Sequence, residues 1–455
     1  MPRAEGTPAV RLGLLFDHDY DARAHARIGH ADGLQFARAG FDLFSFPSNA
    51  ALVGFDLERF AHRQAGRARR EGWAGVVSHD EQFGALAAAL VAERAGLPGA
   101  APRAIVMCQH KLAMRRLLDE VCPEANVGYE PLACGYGDPI PEGLAYPRFV
   151  KPVKAAFSVL ARAVPDRASL QAHTRFGRRE LWVIRHLVEP FERVARRLVP
   201  EAGTAHRMLL EEVVHAPQYN LDGFVHEGKL HVLGVVDALM YPGTQAFQRW
   251  EFPSRLPAAV IERAGAVAAR FLAAAGYRQG FFNMEFFHDP ASDRLAVIEF
   301  NPRLASQFGD FYRQVLGVDP HRMAIALATG ADPWSVPRVA PAARVAASLV
   351  WRAFDPDAVP AMPGARRQAR LTAALPGAAL HLYPHRGRAL ARDFKWMGNT
   401  RYGVLNLGAP DAATLSRDAA LSARLLGWPN APYAGAAGER AARNADFTPA
   451  LGNAD

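Results

Sequence analysis

The chain has 455 residues, half of them apolar, with 22% charged, 10% aromatic and a formal net charge of +8 at a pI near 9.6. Such length and apolar content suffice for roughly two to four domains with their own cores and exclude disorder as the default state, and no apolar run approaches the ~18 residues of a membrane span. The basic excess is dispersed: Arg67, Arg69 and Arg70, and Arg178 and Arg179, fall in helical segments and read as solvated faces rather than a nucleic-acid surface.

The first residues, MPRAEGTPAVRLGLLF, carry no apolar stretch of signal-peptide length and lead straight into a strand, which predicts a cytoplasmic protein. VRLGLLF is followed by a predicted helix from about His25 to Ala39, a strand FDLFSF, a helix from Leu57 to Glu71, a strand GVVSHD and a helix from Gln82 to Arg94. That alternation predicts a parallel sheet with helices on its faces and ligands beyond the carboxyl ends of the strands. Two loops fall there, Asp17-His18-Asp19 and Ser78-His79-Asp80-Glu81; the second reads first as a helix cap by Ser78 or Asp80, with a substrate contact as the alternative.

From Ala104 a strand AIVM is predicted, then a helix Lys111 to Val121, a Pro- and Gly-rich connection from Gly135 to Pro147, and strands with short returns. Beyond Gly330 a Pro-rich stretch leads to candidate strands VAASLVWRAF, ALHLYP and YGVLNLG. The predicted class is α/β and α+β multidomain. An N-terminal parallel α/β domain covers 1–105, a central domain 106–330, and a small C-terminal β-rich module with a loose tail 331–455. Cys108, Cys122 and Cys134 form neither a CxxC pair nor an even set, which argues against a disulfide framework or zinc ribbon.

The strongest chemical signal is GFFNMEFFHDPASDRLAVIEFNPR, Gly280 to Arg303, a hairpin turning at Asp289 to Asp293. Strand alternation puts Asn283 and Glu285 on one face and Glu299 and Asn301 on the matching face of the partner. Glu285, Glu299 and Asn301 then converge as hard oxygen donors suited to Mg²⁺ or Mn²⁺ that also holds nucleotide phosphates, with Arg303 as a fixed cation beside them. Two carboxylates amid apolar neighbours are costly unless employed. His226 and His231 flank another hairpin turn at Glu227-Gly228-Lys229 without partners of metal-binding spacing. GxSxG, HExxH and Walker-type motifs are absent. Of 53 basic residues only five are lysine, at 111, 151, 154, 229 and 395.

In order and content these segments (HKLAMR, FVKP, LLEEVV, YNLDG and EFNPR) resemble the ATP-grasp superfamily of carboxylate-amine ligases over residues 5 to 330. The resemblance implies a central ATP-grasp fold of two lobes in which Lys111 and Lys151 contact ATP phosphates. It implies that Glu211 faces the adenine amino group, that the backbone of Glu212 and Val214 pairs with the ring edge, and that Gln218 stands at the ribose position. Glu285, Glu299 and Asn301 match the family's metal ligands and Arg303 its phosphate or substrate arginine, while Asp222 faces the site less directly. The mobile phosphate loop, glycine-rich in the family, here reads VKAAFSVLA, with Ser158 and Lys154 taking part of its role and the stretch from Lys154 to Ala161 serving as a lid.

The implied chemistry is ATP- and Mg²⁺-dependent formation of an amide or peptide bond between small carboxylate and amine substrates, amino acids above all, through an acyl phosphate. Dimers are common among similar enzymes, so a homodimer is admitted. Bicarbonate-using carboxylation is the first alternative, weakened by Gln307 where biotin carboxylases place a basic glutamate. A non-catalytic ATP-binding protein is the second.

Overall fold

The computed structural model describes residues 10–43, 47–155, 160–429 and 432–433. VRLGLLF supplies β1 (Arg11–Leu15), whose Leu12, Leu14 and Leu15 are buried, and β1 stands between β2 (Gln35–Ala39) and β3 (Trp73–Val77) in a parallel sheet. Helices α1 (Asp19–Asp32) and α2 (Leu57–Glu71) lie between these strands in sequence, and α3 (Gly84–Ala95) follows β3.

The first helix ends earlier than expected. Gly33 takes the left-handed conformation at φ 62° and returns its N–H to the Gly29 carbonyl, so Gln35–Ala39 extends as β2 instead of closing the helix. The expected strand FDLFSF is therefore not the second strand; residues 41–43 are irregular, and 44–46 lie outside the described residues. AIVM is also not a strand. Pro102, with its φ preset for a first helical turn, opens α4 (Pro102–Gln109), and every residue from Ala104 to Gln109 is buried. A helix enclosed on all sides shows no 3.6-residue stripe, so its apolar run reads like a buried strand. The next helix, α5 (Lys111–Val121), has the expected bounds, with the His110 ring accepting the Ala113 N–H at its start.

A four-stranded antiparallel sheet of order β4-β7-β5-β6 follows, built from β4 (Tyr129–Pro131), β5 (Arg148–Pro152), β6 (Arg162–Val164) and β7 (Met208–Glu211). Helices α6 (Arg167–Thr174) and α7 (Arg178–Leu198) lie between β6 and β7 in sequence.

The larger sheet has eight antiparallel strands. They are β8 (Gln218–His226), β9 (Lys229–Met240), β10 (Phe247–Phe252), β11 (Gly280–Asp289), β12 (Arg294–Asn301), β13 (Val345–Ala353), β14 (Ala379–Leu382) and β15 (Thr400–Ala409). Their order is β12-β11-β8-β9-β10-β13-β15-β14, and α8 (Ala258–Ala274) links β10 to β11. The β8–β9 turn has two residues, Glu227 at φ 52° and Gly228 at φ 83°, the double positive φ of a hairpin whose twist matches its strands.

The candidate strands of the C-terminal region are β13, β14 and β15. They continue the central sheet through the β10–β13 pairing, from Arg249 opposite Leu349 to Phe252 opposite Ala346. One apolar core joins the parallel sheet and α3–α5 to the inner face of the large sheet, with Leu86, Met114, Leu221, Phe282 and Phe286 all at 0% exposure. Among the described residues no helix is long and apolar enough to cross a membrane.

Candidate active site

The β11–β12 register sets Asn283 opposite Asn301 and Glu285 opposite Glu299. On the next strand Asp222 pairs with Asn283 and Asn220 with Glu285, so strand alternation collects polar side chains on one face while Met284, Phe282 and Phe300 fill the core behind it. Asn301 Nδ2 donates to Asn283 Oδ1 at 3.2 Å and to Glu285 Oε1 at 3.4 Å. The expected convergence of Glu285, Glu299 and Asn301 is thus present in the geometry.

Charge separates the two glutamates. Desolvation and the facing charge of Glu299 hold the Glu285 carboxyl well above the ordinary carboxylate range. Burial acts in the same direction on Glu299, but Lys111 and Lys151 more than offset it and keep that group ionised. Among the described residues no three His, Cys, Asp or Glu side chains gather to hold a metal by themselves. The set is two carboxylates and an amide, one carboxylate strained by the other, which fits a divalent cation whose remaining ligands come from water or phosphate.

The lysines arrive from the other side. Lys111, first residue of α5, reaches Glu299 Oε2 at 3.2 Å and donates to the Ala155 carbonyl at 3.0 Å. Lys151, on β5, reaches Glu211 Oε2 at 2.8 Å and the Ile298 carbonyl at 3.2 Å. Lys154 donates to the Glu81 carbonyl at 3.0 Å and lies over the Phe191 ring. Burial brings Lys151 and Lys154 down to about 8, against the pull of Glu211 and Glu81 respectively. Arg303 Nε meets Glu81 Oε2 at 3.0 Å, joining the loop after β3 to the end of β12. The capping reading of that loop holds at Asp80, whose Oδ1 accepts the Phe83 and Gly84 N–H groups, while Glu81 pairs with Arg303.

Two expected contacts are placed differently. The Glu211 carboxylate is buried between Arg115 (Nε to Oε1, 2.7 Å) and Lys151, so its side chain serves these cations rather than facing an adenine amino group. Gln218 donates through Nε2 to Glu285 Oε2 at 2.8 Å, because its β8 position faces β11; it holds a carboxylate and not an open ribose position. Beyond β7 the Glu212 N–H is bonded to the Gly128 carbonyl, whereas, among the described residues, the Glu212 carbonyl and the Val214 N–H have no hydrogen-bond partner. An acceptor and a donor two residues apart at a strand end are free to pair with a planar ring edge. Ser158 lies outside the described residues, as does half of the expected lid, residues 156–159.

Sequence reasoning missed Arg115, which also donates to Asn126 Oδ1 at 3.0 Å, the Val297 carbonyl at 2.7 Å and the Ile298 carbonyl at 3.2 Å. Its signal was its place four residues after Lys111, on the same face of α5. It also missed Tyr312, whose hydroxyl donates to Asp222 Oδ2 at 2.5 Å while Asn283 Nδ2 donates to Oδ1 at 2.9 Å. Burial raises Asp222 from 3.8 to about 6, so the folded state binds a proton there that the unfolded chain releases. Stability from this group is therefore lost as pH rises from about 4 to above 6, by about 3 kcal/mol. Melting wild type and Asp222→Asn side by side across that window is expected to show the variant gaining on wild type as pH rises, and parallel curves would refute it.

No family model matches the chain. Carnosine synthase 1 from Gallus gallus is 28% identical over 298 residues, 62% of this chain; the chain spans 30% of the length of that relative. Among solved structures, the L-amino acid ligase from Bacillus licheniformis superposes with a TM-score of 0.68 at 14% identity, covering 94% of this chain and 99% of that one. The N5-carboxyaminoimidazole ribonucleotide synthetase from Thermus thermophilus gives 0.61 at 18% identity over 92% and 99%. Biotin carboxylase from Campylobacter jejuni gives 0.58 at 13% identity over 92% and 91%. The chain thus shares one fold with these solved enzymes along nearly its whole length, and a stretch of sequence with carnosine synthase 1.

Proposed function

We propose that this protein is a cytoplasmic ATP-dependent ligase that joins a carboxylate to an amine through an acyl phosphate, releasing ADP and phosphate. The observation that carries the reading is that Lys111 reaches Glu299 at 3.2 Å beside Glu285 and Asn301, with Lys151 and Arg303 close enough to act electrostatically on both carboxylates. The likeness to an L-amino acid ligase and to carnosine synthase supports amino acids or similar compounds as substrates.

Adenine takes the strand end after β7, where the Glu212 carbonyl and Val214 N–H present an acceptor and a donor. Lys111 and Lys151 hold the phosphates, each now resting on a carboxylate that a bound nucleotide would displace or share. Glu285, Glu299 and Asn301 would hold Mg²⁺ or Mn²⁺, which supplies charge neutralisation on the transferred phosphoryl group. A substrate carboxylate oxygen attacks the γ-phosphorus, the bond to ADP breaks, and the acyl phosphate remains in the cleft. The amine nitrogen then attacks the acyl carbon, Arg303 steadies the oxyanion, phosphate leaves with the C–O bond electrons, and the nitrogen loses its proton.

A bicarbonate reading is disfavoured by the residue at the basic position. Gln307 has no titratable group and its amide donates to Ser348 Oγ at 2.8 Å. The test is nucleotide analysis after incubation with Mg²⁺, ATP and pools of amino acids. ADP and phosphate that appear only with particular pools, and vanish in Glu299→Gln, are expected. AMP with pyrophosphate overturns the acyl-phosphate route, and tight ATP binding without turnover in any pool favours a non-catalytic binder.

A further inference from the structure

Helix α7 is divided by its own sequence. Pro190 stands inside it without an N–H for the His186 carbonyl, which weakens the helix there. Its buried residues all lie from Val188 onward, while Trp182 and Val183 in the earlier half are exposed. The later half is tied to α2: Arg193 meets Asp56 at 3.0 Å and Arg197 meets Glu58 at 2.7 Å. The earlier half belongs with α6 and the four-stranded sheet, and its Ile184 packs on the apolar core of that sheet. A helix fixed at one end and interrupted by proline is a lever hinged at residue 190.

The other end of this lever meets the helix Gly387–Met397, which lies between β14 and β15 in sequence. The Trp396 ring centroid is 6.1 Å from that of Phe176, in the turn between α6 and α7, and Phe176 meets Tyr136 at 5.6 Å. Trp396 thereby packs on the core of the four-stranded sheet, although its own helix belongs to the C-terminal strands. Beside it Lys395 pairs with Glu180, whose Oε2 accepts the Gly177 N–H at the start of α7. The helix that carries both is itself pinned. Asp393, 4% exposed, accepts the Thr400 hydroxyl at 2.8 Å and pairs with His385 at 2.6 Å. A fixed jaw thus holds the free end of the lever through one exposed ion pair and one aromatic pair, a grip weak enough to open and close.

We propose that Trp396 and Lys395 form a clasp that holds the four-stranded sheet closed over the acyl phosphate, making Trp396 a positioning residue that sets how much amide forms for each ADP. This rests on the ligase reading above, in which Lys151 on β5 and Glu285 and Glu299 on the large sheet serve one nucleotide. With the clasp open, water reaches the intermediate. Its oxygen bonds to the acyl carbon and the carbon–oxygen bond to phosphate breaks. Free carboxylate, phosphate and a proton result, so ADP has formed without amide.

The test measures amide and ADP together, with Mg²⁺, ATP and pools of amino acids. Wild type is expected to form the two in nearly equal amounts. In Trp396→Ala the amide per ADP falls by about threefold or more, the excess ADP still requiring the pool. Trp396→Phe restores most of the ratio, and in Lys395→Glu, which sets two acids face to face, the ratio falls at low salt and recovers at high salt. The fraction of enzyme folded cancels in such a ratio, so an equal value in Trp396→Ala and wild type overturns the clasp. Should that variant fail to fold, Lys395→Glu, at a side chain 63% exposed, carries the comparison. If wild type releases no ADP with any pool, the ligase reading fails and hydrogen exchange alone judges the clasp. Faster exchange in Trp396→Ala confined to β6, α6 and the first half of α7 supports it; exchange unchanged there, or faster throughout the chain, overturns it.

Discussion

Glu285→Gln is expected to cut ADP formation by on the order of 10²–10³ while leaving the fold as stable as wild type or more so. The two effects have one cause. Glu285 faces Glu299 across the ladder, and desolvation with that repulsion holds its carboxyl above the ordinary range. The penalty of the ionised form is present above the raised value and disappears as pH falls towards the unfolded value, so the stability gain of the neutral amide grows with pH. The amide still offers Gln218 an acceptor, so the local hydrogen bond at 2.8 Å survives. What is lost is a charge for the cation on the phosphoryl group. ADP release and thermal melts in EDTA at several pH values check both halves; a variant that is active, or that melts well below wild type at high pH, removes the assignment.

Arg115→Met is expected to cost about 3–5 kcal/mol of stability, the range for removing one partner of a buried charge pair. Arg115 is 1% exposed and bonds to Glu211 on β7 and to the Val297 and Ile298 carbonyls of β12. Its loss takes a buried donor from Glu211 and from the Val297 carbonyl, although Lys151 still reaches Glu211 and the Ile298 carbonyl and the Val127 N–H still bonds Asn126 Oδ1. Because β7 and β12 belong to different sheets, one guanidinium ties the two sheets together. Urea unfolding followed by circular dichroism measures the loss, and a change below about 1 kcal/mol would show that the bonds are idle.

The hairpin from Gly280 to Asn301 was legible because alternation over two strands joined by a short turn determines which side chains share a face. Lys111 at the start of α5 was legible because the helix bounds were. The end of α1 was misplaced because Gly33 breaks a pattern that otherwise continues into β2. Reading α4 as a strand shows the limit of periodicity for a helix buried all round. Glu211 and Gln218 were assigned to nucleotide from their order along the chain, yet their neighbours in space, Arg115 and Glu285, are 96 and 67 residues away.

The continuation of the central sheet into β13, β15 and β14 has a protective side. Without these strands, β10 would offer six residues of open backbone along one rim, an invitation for another molecule to add a strand. With them, the rim moves out to β14, four residues long and too brief to template much. The opposite rim, β12, is packed by α4 and α5. The backbone pairing of the C-terminal strands thus leaves a shorter open edge than β10 alone would present.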